Sequence, residues 1–223
     1  PALEDEPIIF VQVALTKGLG KSIQELMKPT INEEKTYDTA TFYSISNCQE
    51  GLSRVTLGNF LIKRVVYEIQ EELPHIKNFG TLSPIPGFAD WFTYLENAKI
   101  ENILGNLKDQ DVAFLKSQDL KLGDSRIIKN KEAIIKLVAH YIVNEKNQQG
   151  LPINDVSRFH LGNGAIVDDI IVNANISETG FKRSFGVMVN YLYELKNIEK
   201  NHEDYMNNNK TIVSNKIKKY LNN

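Results

Sequence analysis

The sequence predicts one mixed α/β domain. Apolar stretches of strand length alternate with helical patterns, and no linker or internal repeat separates them. A chain of 223 residues is long enough to bury one sizeable core. Its 42% hydrophobic and 24% charged fractions are those of an ordinary globular protein. We therefore expect a single sheet with helices packed against it.

The first half of the chain predicts three strands and two helices. The strands are rich in β-forming residues, and the longer helix repeats apolar residues at a spacing of four and ends before Pro74. The predicted elements are, in order, a strand at 8–15, a short helix at 19–27, a polar connector at 29–37, a strand at 39–46, a glycine-containing loop at 47–56, a helix at 57–73 and a strand from Ile76.

The second half begins with helical fragments at 89–125 and then becomes regular. Asn154 is a favourable N-cap, and the Asn163-Gly164 pair is a helix stop signal. The predicted elements that follow the fragments are a helix at 130–145, a short helix from 154 to 164, strands at 165–173 and 186–193, and a polar helical tail from Ile198.

Charge and cysteine content argue against several partners. The net charge of −2 favours neither nucleic acid nor an anionic membrane. Cys48 is the single cysteine, which excludes an internal disulfide and fits a reducing compartment. No membrane-length apolar run or signal-peptide pattern is present. We expect a cytoplasmic protein, or a mitochondrial matrix protein if the source is eukaryotic, and the first residue, Pro1, predicts a processed or truncated chain.

The segment 81–88 stops regular structure abruptly. Pro84 and Pro86 fix two φ angles, and Gly87 permits a turn that a side chain would resist. Ser83 is thus expected at the end of a strand, on a loop with little freedom, where open α/β sheets place ligand chemistry. The same residue types form ordinary turns, so this segment alone leaves both interpretations open.

A strand, a glycine-containing loop and a helix follow one another between residues 39 and 72. Gly58 lies at the start of this helix, where backbone N–H groups and the helix dipole favour an anion. This arrangement suits the pyrophosphate of a nucleotide-like molecule, with Arg54 and Lys63 as charges at the rim. The chain has neither the GxxxxGKS/T nor the GxGxxG pattern, so an ordinary strand–helix connection is an equal alternative.

One of the four histidines has a distinctive position. His160 lies near the end of a short helix, whose C-terminus stabilises the imidazolium and would help a proton donor. A surface histidine beside a helix cap is the alternative interpretation. No HxH or HExxH pattern occurs, and with one cysteine no metal site is expected.

Six blocks of the sequence form a common pattern: VQVALT at 11–16, FYSIS at 42–46, GNFLIKRVV at 58–66, LSPIPGF at 82–88, FHL at 159–161 with NGA at 163–165, and MVNY at 188–191. In this order they closely resemble the malonyl-CoA decarboxylase family. The resemblance extends from about residue 6 to residue 205 and is weakest at 89–150.

The resemblance implies the GNAT acetyltransferase-like fold, an α+β arrangement in which a mixed, splayed central sheet flanked by helices holds an acyl-CoA. It implies that residues 1–223 form a catalytic domain, without the family's N-terminal helical domain and without a leading strand that would pair with residues 8–15. An unpaired edge favours association. We therefore expect a missing segment or partner chain to cover it, and a homo-oligomer for the full-length protein.

The resemblance also implies the site residues. Ser83, as proton acceptor and partner of the substrate carboxylate, and His160, as proton donor, form the implied catalytic pair. Ser44 and Tyr193 match polar positions near the reacting acyl group and complete the implied substrate-binding set. The implied CoA-binding residues are Ser53, Arg54, Val55, Thr56, Leu57, Gly58 and Asn59. Thr56 stands where some animal members carry a carboxylate, so no acidic role is carried over to it.

The implied reaction is decarboxylation of malonyl-CoA to acetyl-CoA and CO₂. Loss of CO₂ leaves an enolate, which placed donors stabilise and a general acid protonates. Because the CoA thioester of the substrate is the electron sink, no metal, biotin or pyridoxal cofactor is expected. An acyltransferase of the same fold and a non-catalytic acyl-CoA-binding fragment are the open alternatives. The absence of a GxSxG elbow disfavours a serine hydrolase.

Overall fold

A five-stranded mixed sheet forms the centre of the molecule, with helices packed against it. The computed structural model describes residues 9–29, 36–47, 57–107 and 110–222, with the backbone alone at 9, 46–47 and 57–61. The strands are β1 (Ile9–Thr16), β2 (Thr39–Asn47), β3 (Asn78–Pro84), β4 (Ile166–Ile171) and β5 (Met188–Leu192). The α-helices are α1 (Ile23–Leu26), α2 (Leu57–Glu72), α3 (Phe88–Tyr94), α4 (Asn97–Leu104), α5 (Ser125–Lys129), α6 (Lys131–Val143), α7 (Asp155–Gly162), α8 (Glu178–Ser184), α9 (Ile198–Asn208) and α10 (Asn215–Leu221).

The strands lie in the order β1-β2-β3-β5-β4. β2 and β3 are parallel, whereas the other three neighbouring pairs are antiparallel. Non-consecutive neighbours such as β3 and β5 bring residues from distant parts of the chain together at the middle of the sheet. This topology confirms the predicted mixed sheet.

β2 and β3 separate part-way along their length. The ladder between them joins residues 39–42 to residues 78–81. Beyond it, β2 continues beside β1 and β3 continues beside β5. We call residues 43–47 the β2 arm and residues 82–84 the β3 arm. A gap opens between the two arms, as expected of a splayed central sheet.

Helix α6 forms much of the core behind β4 and β5. Its sequence is apolar on nearly every face, and Ile134, Leu137 and Val138 have no exposed surface. Helices α4 and α10 and strand β4 pack against it. A helix that is apolar all round is buried on all sides, so α6 gives the half of the sheet that contains β5 a rigid support.

Most predicted elements are present, with different ends. α1 has four residues, so the prediction of a helix over 19–27 is too long, and β3 begins at Asn78 instead of Ile76. α8 is a helix that the sequence does not predict, because its residues ETGFKRS include one large apolar side chain and so show no periodicity.

Residues 30–35 of the predicted connector and 48–56 of the predicted loop, with Cys48, lie outside the described residues. Within the described part of the chain, no helix combines the length and the apolarity that a membrane span requires.

Candidate active site

Ser83 and His160 face each other although 77 positions separate them in the chain. Ser83 is the next-to-last residue of β3 and pairs with Val189 of β5. His160 lies in the last turn of α7, which Asn154 caps as predicted by accepting a hydrogen bond from the Ser157 N–H. The Ser83 Oγ lies 2.9 Å from the His160 Nε2, and the two residues are 5% and 4% exposed. The fold therefore brings together the two residues that the sequence singles out.

The turn after Ser83 is anchored through the carbonyl of Pro86. The Tyr141 hydroxyl donates to this oxygen at 3.0 Å, and the Asn154 Nδ2 donates to it at 2.8 Å. Gly87 has a φ of 81°, and a Cβ at this position would lie 2.9 Å from the Tyr141 hydroxyl, so the turn requires glycine. Ser83 itself lies within the strand and not on the loop, which corrects the sequence prediction. The sheet ladder sets its position, and the turn anchors the end of the strand.

The hydrogen bonds around His160 run in one direction. The Ser83 Oγ donates its single hydrogen to the Thr81 Oγ1 at 2.8 Å. The 2.9 Å contact between Ser83 Oγ and His160 Nε2 is therefore donated by the histidine. A neutral imidazole carries one N–H, so its Nδ1 accepts a hydrogen bond from the Tyr193 hydroxyl at 2.9 Å. His160 thus presents an N–H towards Ser83.

Burial keeps His160 uncharged in this site. Removal from water lowers the pKa of the imidazole from 6.5 to about 3. The C-terminal position in α7 favours the imidazolium, but desolvation outweighs it, so the expectation of a stabilised imidazolium is wrong for the site without substrate. Burial also raises the pKa of the Tyr193 hydroxyl, which therefore keeps its proton and remains a donor.

Tyr191 supports the flat face of the His160 ring. The two ring centroids are 4.5 Å apart and the ring planes differ by 27°. The Tyr191 hydroxyl lies 2.7 Å from the Ser157 Oγ, which donates to the Asn154 Oδ1 at 3.1 Å. Since Asn154 also donates to the turn after β3, one buried network connects the helix that carries His160 to the strand that carries Ser83.

Ser44 lies on the β2 arm, on the other side of the gap from Ser83. It is half-buried, and its backbone is in register with Gln12 of β1. The register between β1 and β2 shifts at this point, because Gln12 pairs with Ser44 whereas the next residue, Val13, pairs with Phe42. β2 thus has one extra residue between Phe42 and Ser44, and this bulge interrupts the regular alternation of faces. The structure joins Ser83, His160 and Tyr193 in one hydrogen-bonded network and places Ser44 on the opposite border of the gap.

The predicted CoA-contacting segment is described only in part. Residues 53–56 lie outside the described residues, whereas residues 57–59 form the first turn of α2, as predicted, with the backbone alone described. Lys63, expected to contribute charge at the rim, has its Nζ 2.6 Å from the Glu199 Oε1 of α9. The helix thus begins where the sequence places an anion-binding N-terminus.

The described residues contain no cluster of three or more histidine, cysteine or acidic side chains that could hold a metal ion. His140 stacks on Trp91 with 6.3 Å between ring centroids, and its Nε2 lies 3.2 Å from the Glu145 Oε1. This histidine belongs to the packing around α6 and not to the Ser83–His160 network.

Several members of the network are not identified from the sequence. Their spacing carries a signal, because residues two apart on a strand or three apart on a helix share a face. Applied to Ser83, Tyr193 and His160, this rule points to the missed residues Thr81, Tyr191 and Ser157. Asn154 is predicted as a helix cap, but its bond to the turn after β3 depends on tertiary structure.

A family model described as the malonyl-CoA decarboxylase C-terminal domain matches residues 1–223. The mitochondrial malonyl-CoA decarboxylase of Anser anser anser is 36% identical over 227 residues, which cover 92% of this chain and 45% of the relative. A crystal structure of malonyl-CoA decarboxylase from Rhodopseudomonas palustris is similar with a TM-score of 0.80 and 39% identity, over 98% of this chain and 50% of that one.

A more distant structure bears on the fold alone. The loading GNATL domain of CurA from Lyngbya majuscula matches with a TM-score of 0.53 and 13% identity, over 87% of this chain and 74% of that domain. The predicted GNAT-like fold class is thus confirmed. This chain spans about half the length of the curated relatives that it matches. On its sequence and its fold, the chain belongs to the malonyl-CoA decarboxylase C-terminal domain family.

Proposed function

We propose that this chain carries the reaction site of a malonyl-CoA decarboxylase, which converts malonyl-CoA to acetyl-CoA and CO₂. The observation that supports this best is the 2.9 Å contact between the Ser83 Oγ and the His160 Nε2 beside the gap in the sheet. It supplies a hydroxyl for a carboxylate and an N–H for a carbanion within one small volume. Family membership over residues 1–223 supports the same reaction.

Ser83 is the proposed proton acceptor and partner of the malonyl carboxylate. Its hydroxyl can turn from Thr81 to the carboxylate while its oxygen continues to accept the hydrogen bond from His160. The ladder with β5 holds the serine backbone in place. This matters because a shift of about 1 Å between reacting groups can lower a rate by about 100-fold.

His160 is the proposed proton donor. The bond between the carboxylate carbon and C2 of the malonyl group breaks, CO₂ leaves, and the electron pair stays on C2 as the thioester enolate. The bound carboxylate is a negative charge in a buried site, so it raises the pKa of His160 from its low value in the site without substrate. The ring then binds one solvent proton with the substrate, passes the Nε2 proton to C2, and becomes neutral again.

The CoA thioester is the proposed substrate, and its carbonyl accepts the electron pair that decarboxylation releases. The step therefore needs no metal, biotin or pyridoxal. Residues 53–59 would hold the pyrophosphate at the N-terminus of α2, with the acyl end entering the gap between the two arms. Ser44 would contact the acyl end from the β2 arm, and Tyr193 would act on it through His160.

The direction of the central hydrogen bond argues against Ser83 as a nucleophile. A nucleophilic serine is activated by giving its proton to a neighbouring histidine base. Here the Ser83 hydrogen is donated to Thr81, and His160 donates to the serine oxygen. Hydrolysis or acyl transfer through an acyl-serine would require both hydrogen bonds to reverse.

We further propose that the chain acts within a longer homo-oligomeric protein, with an upstream helical domain or a separate chain beside it. The relatives' greater length supports an additional domain. Cytoplasm and mitochondrial matrix are the proposed locations, and the balanced charge supports neither nucleic acid nor membrane as a partner.

Incubation of the full-length protein with malonyl-CoA, without any acyl acceptor, tests this function. We expect acetyl-CoA and CO₂ in equal amounts and no free CoA, as measured by chromatography and CO₂ release. Release of free CoA would indicate a hydrolase, and a requirement for an amine or thiol would indicate an acyltransferase. Calorimetric binding of CoA without any turnover of malonyl-CoA would identify a non-catalytic binding protein and overturn the proposal.

A further inference from the structure

Thr81 is a buried residue of β3 that neither the sequence nor the proposed reaction assigns a role. It lies two positions before Ser83, on the same face of the strand, and is 1% exposed. Its Oγ1 accepts a hydrogen bond from the Ser83 hydroxyl at 2.8 Å and another from the backbone N–H of Tyr191 at 3.4 Å. The threonine hydroxyl is thus the acceptor for the one hydrogen that Ser83 can donate.

The imidazole of His160 has two tautomers that could satisfy its neighbours. With the hydrogen on Nε2, the ring donates to Ser83 and accepts from Tyr193, as described above. With the hydrogen on Nδ1, the ring would donate to the Tyr193 oxygen and accept from Ser83. Both arrangements make two hydrogen bonds to the ring, so the ring's own contacts do not choose between them.

The choice depends on where the Ser83 hydrogen points. The Ser83 Oγ contacts two polar side-chain atoms, Thr81 Oγ1 and His160 Nε2. Without the threonine hydroxyl, Nε2 is the acceptor that remains of these two. Ser83 would then donate to the ring, and the ring hydrogen would move to Nδ1.

We propose that Thr81 is a positioning residue that holds His160 in the Nε2–H tautomer, so that the Ser83 hydrogen is not donated to Nε2 and remains available to the substrate carboxylate. An ionised carboxylate only accepts hydrogen bonds, and the other tautomer would engage the Ser83 donor that it needs. The tautomer follows from the hydrogen-bond network alone, whereas its benefit to malonyl-CoA rests on the proposed function.

Nitrogen NMR of the histidine ring tests the tautomer without any substrate. Long-range ¹H–¹⁵N correlations of ¹⁵N-histidine-labelled protein distinguish the protonated ring nitrogen from the other one. The His160 signals are identified by their loss in His160→Asn. We expect hydrogen on Nε2 in the natural protein and in Thr81→Ser, which keeps a hydroxyl. In Thr81→Val, which has nearly the same volume but no hydroxyl, we expect hydrogen on Nδ1.

The natural protein with hydrogen on Nδ1, or a folded Thr81→Val variant with hydrogen still on Nε2, would overturn the inference. Thr81→Ala serves as a second variant, because it removes the hydroxyl without placing a second methyl group beside Ser83. Thermal unfolding of each variant confirms that the compared proteins are folded.

Kinetics test what the tautomer does for the substrate. We expect Thr81→Val to raise the KM for malonyl-CoA about tenfold, because the Ser83 hydroxyl must first break its hydrogen bond to Nε2 before it can donate to the carboxylate. The inhibition constant of acetyl-CoA, which has no carboxylate, should change less than about twofold. The value of kcat should change little, because the doubly protonated ring of the substrate complex carries an Nε2–H in either variant. Equal weakening of malonyl-CoA and acetyl-CoA would overturn the carboxylate part of the inference.

The NMR measurement and the kinetic measurement separate the role of Thr81 from the proposed function. The expected tautomers without any turnover of malonyl-CoA would uphold the role of Thr81 and contradict the proposed function. Normal turnover with an unchanged tautomer in Thr81→Val would uphold the function and contradict the role of Thr81.

Discussion

The two arms that border the gap in the sheet are built differently. The β3 arm pairs with β5 over all three of its residues, and its Leu82 and Ser83 are 1% and 5% exposed. The β2 arm pairs with the edge strand β1, and its described side chains at 43–45 are half-buried. The arm that carries the proposed reacting group is therefore held in the middle of the sheet, whereas the arm opposite it keeps accessible surface.

This difference indicates a division of labour. Proton transfer requires fixed distances, and the buried hydrogen bonds from Thr81 through Ser83 and His160 to Tyr193 provide them. Binding of an acyl chain requires an accessible border, which the β2 arm provides. Loss of His160, or of the contacts that fix its distance from Ser83, should thus lower kcat, and changes in the β2 arm should raise KM.

The largest effect is expected for His160→Asn. It removes the proposed proton donor, and general acids contribute about 10²- to 10⁴-fold, so we expect kcat to fall about 1,000-fold while acetyl-CoA binding changes little. Steady-state kinetics and calorimetry measure the two quantities. The matched control is His140→Asn, a histidine packed on Trp91, which should leave kcat unchanged. A parallel loss of kcat and of acetyl-CoA binding in His160→Asn would refute the proton-donor role.

A smaller effect is expected for Asn154→Ser. Serine still caps α7 but lacks the amide that donates to Pro86, so we expect kcat to fall about tenfold and the free energy of unfolding to fall by about 1 kcal/mol. Ser177→Ala is the control, because it removes the cap of α8. This control should cost a similar stability, about 1 kcal/mol, without loss of kcat. Full activity of Asn154→Ser would show that the connection does not position His160.

The buried state of His160 also predicts a pH dependence of stability. The pKa of His160 is about 3 in the folded protein, whereas an imidazole that is not buried, as in the unfolded chain, has a pKa of 6.5. Between these values the unfolded chain binds the additional proton, so the free energy of unfolding falls with falling pH, by up to about 1.4 kcal/mol per pH unit. Urea unfolding between about pH 6.5 and 5 measures this slope above the range in which most carboxylates titrate.

The variants from the kinetic comparison identify the source of this slope. His160→Asn should flatten it. His140→Asn should preserve most of it, because that ring is partly exposed and Glu145 opposes the lowering of its pKa. An equal slope in His160→Asn and in the natural protein would be inconsistent with a buried, neutral His160.

The smallest effect is expected on the β2 arm. Ser44→Ala removes one half-buried hydroxyl, so we expect KM for malonyl-CoA to rise about threefold with kcat unchanged, as for the loss of one hydrogen bond. Ser46→Ala, two residues further along β2, is the comparison for the effect of position along the arm. A fall in kcat comparable to that of Asn154→Ser would contradict the division of labour between the arms.

The sequence predicts the main elements of the fold because they carry strong local signals. The apolar residues of α6 and the β-branched runs of β1 and β2 dictate their conformation locally, as does the Asn154 cap of α7. The end of α1 and the whole of α8 depend on tertiary contacts. α8 packs on α3 and on β3, and no periodic pattern marks it.

The candidate site is predictable in its members but not in its connections. Ser83, His160 and Tyr193 follow from the resemblance, and the structure joins all three. The direction of their hydrogen bonds depends on Thr81. The anchor of the turn after β3 depends on Tyr141, and no sequence motif around Tyr141 indicates this contact. The protonation state of His160 is also beyond the sequence, because burial outweighs the helix C-terminus only once the fold encloses the ring.

The most direct test of the Ser83–His160 site is a crystal structure of the His160→Asn variant with malonyl-CoA bound. Because this variant lacks the proposed proton donor, it should not decarboxylate the bound malonyl-CoA. We predict the thioester in the gap between the two arms, with the malonyl carboxylate within about 2.6–3.2 Å of the Ser83 Oγ and C2 facing residue 160. A malonyl group bound outside the gap, with its carboxylate beyond reach of Ser83, would contradict the account.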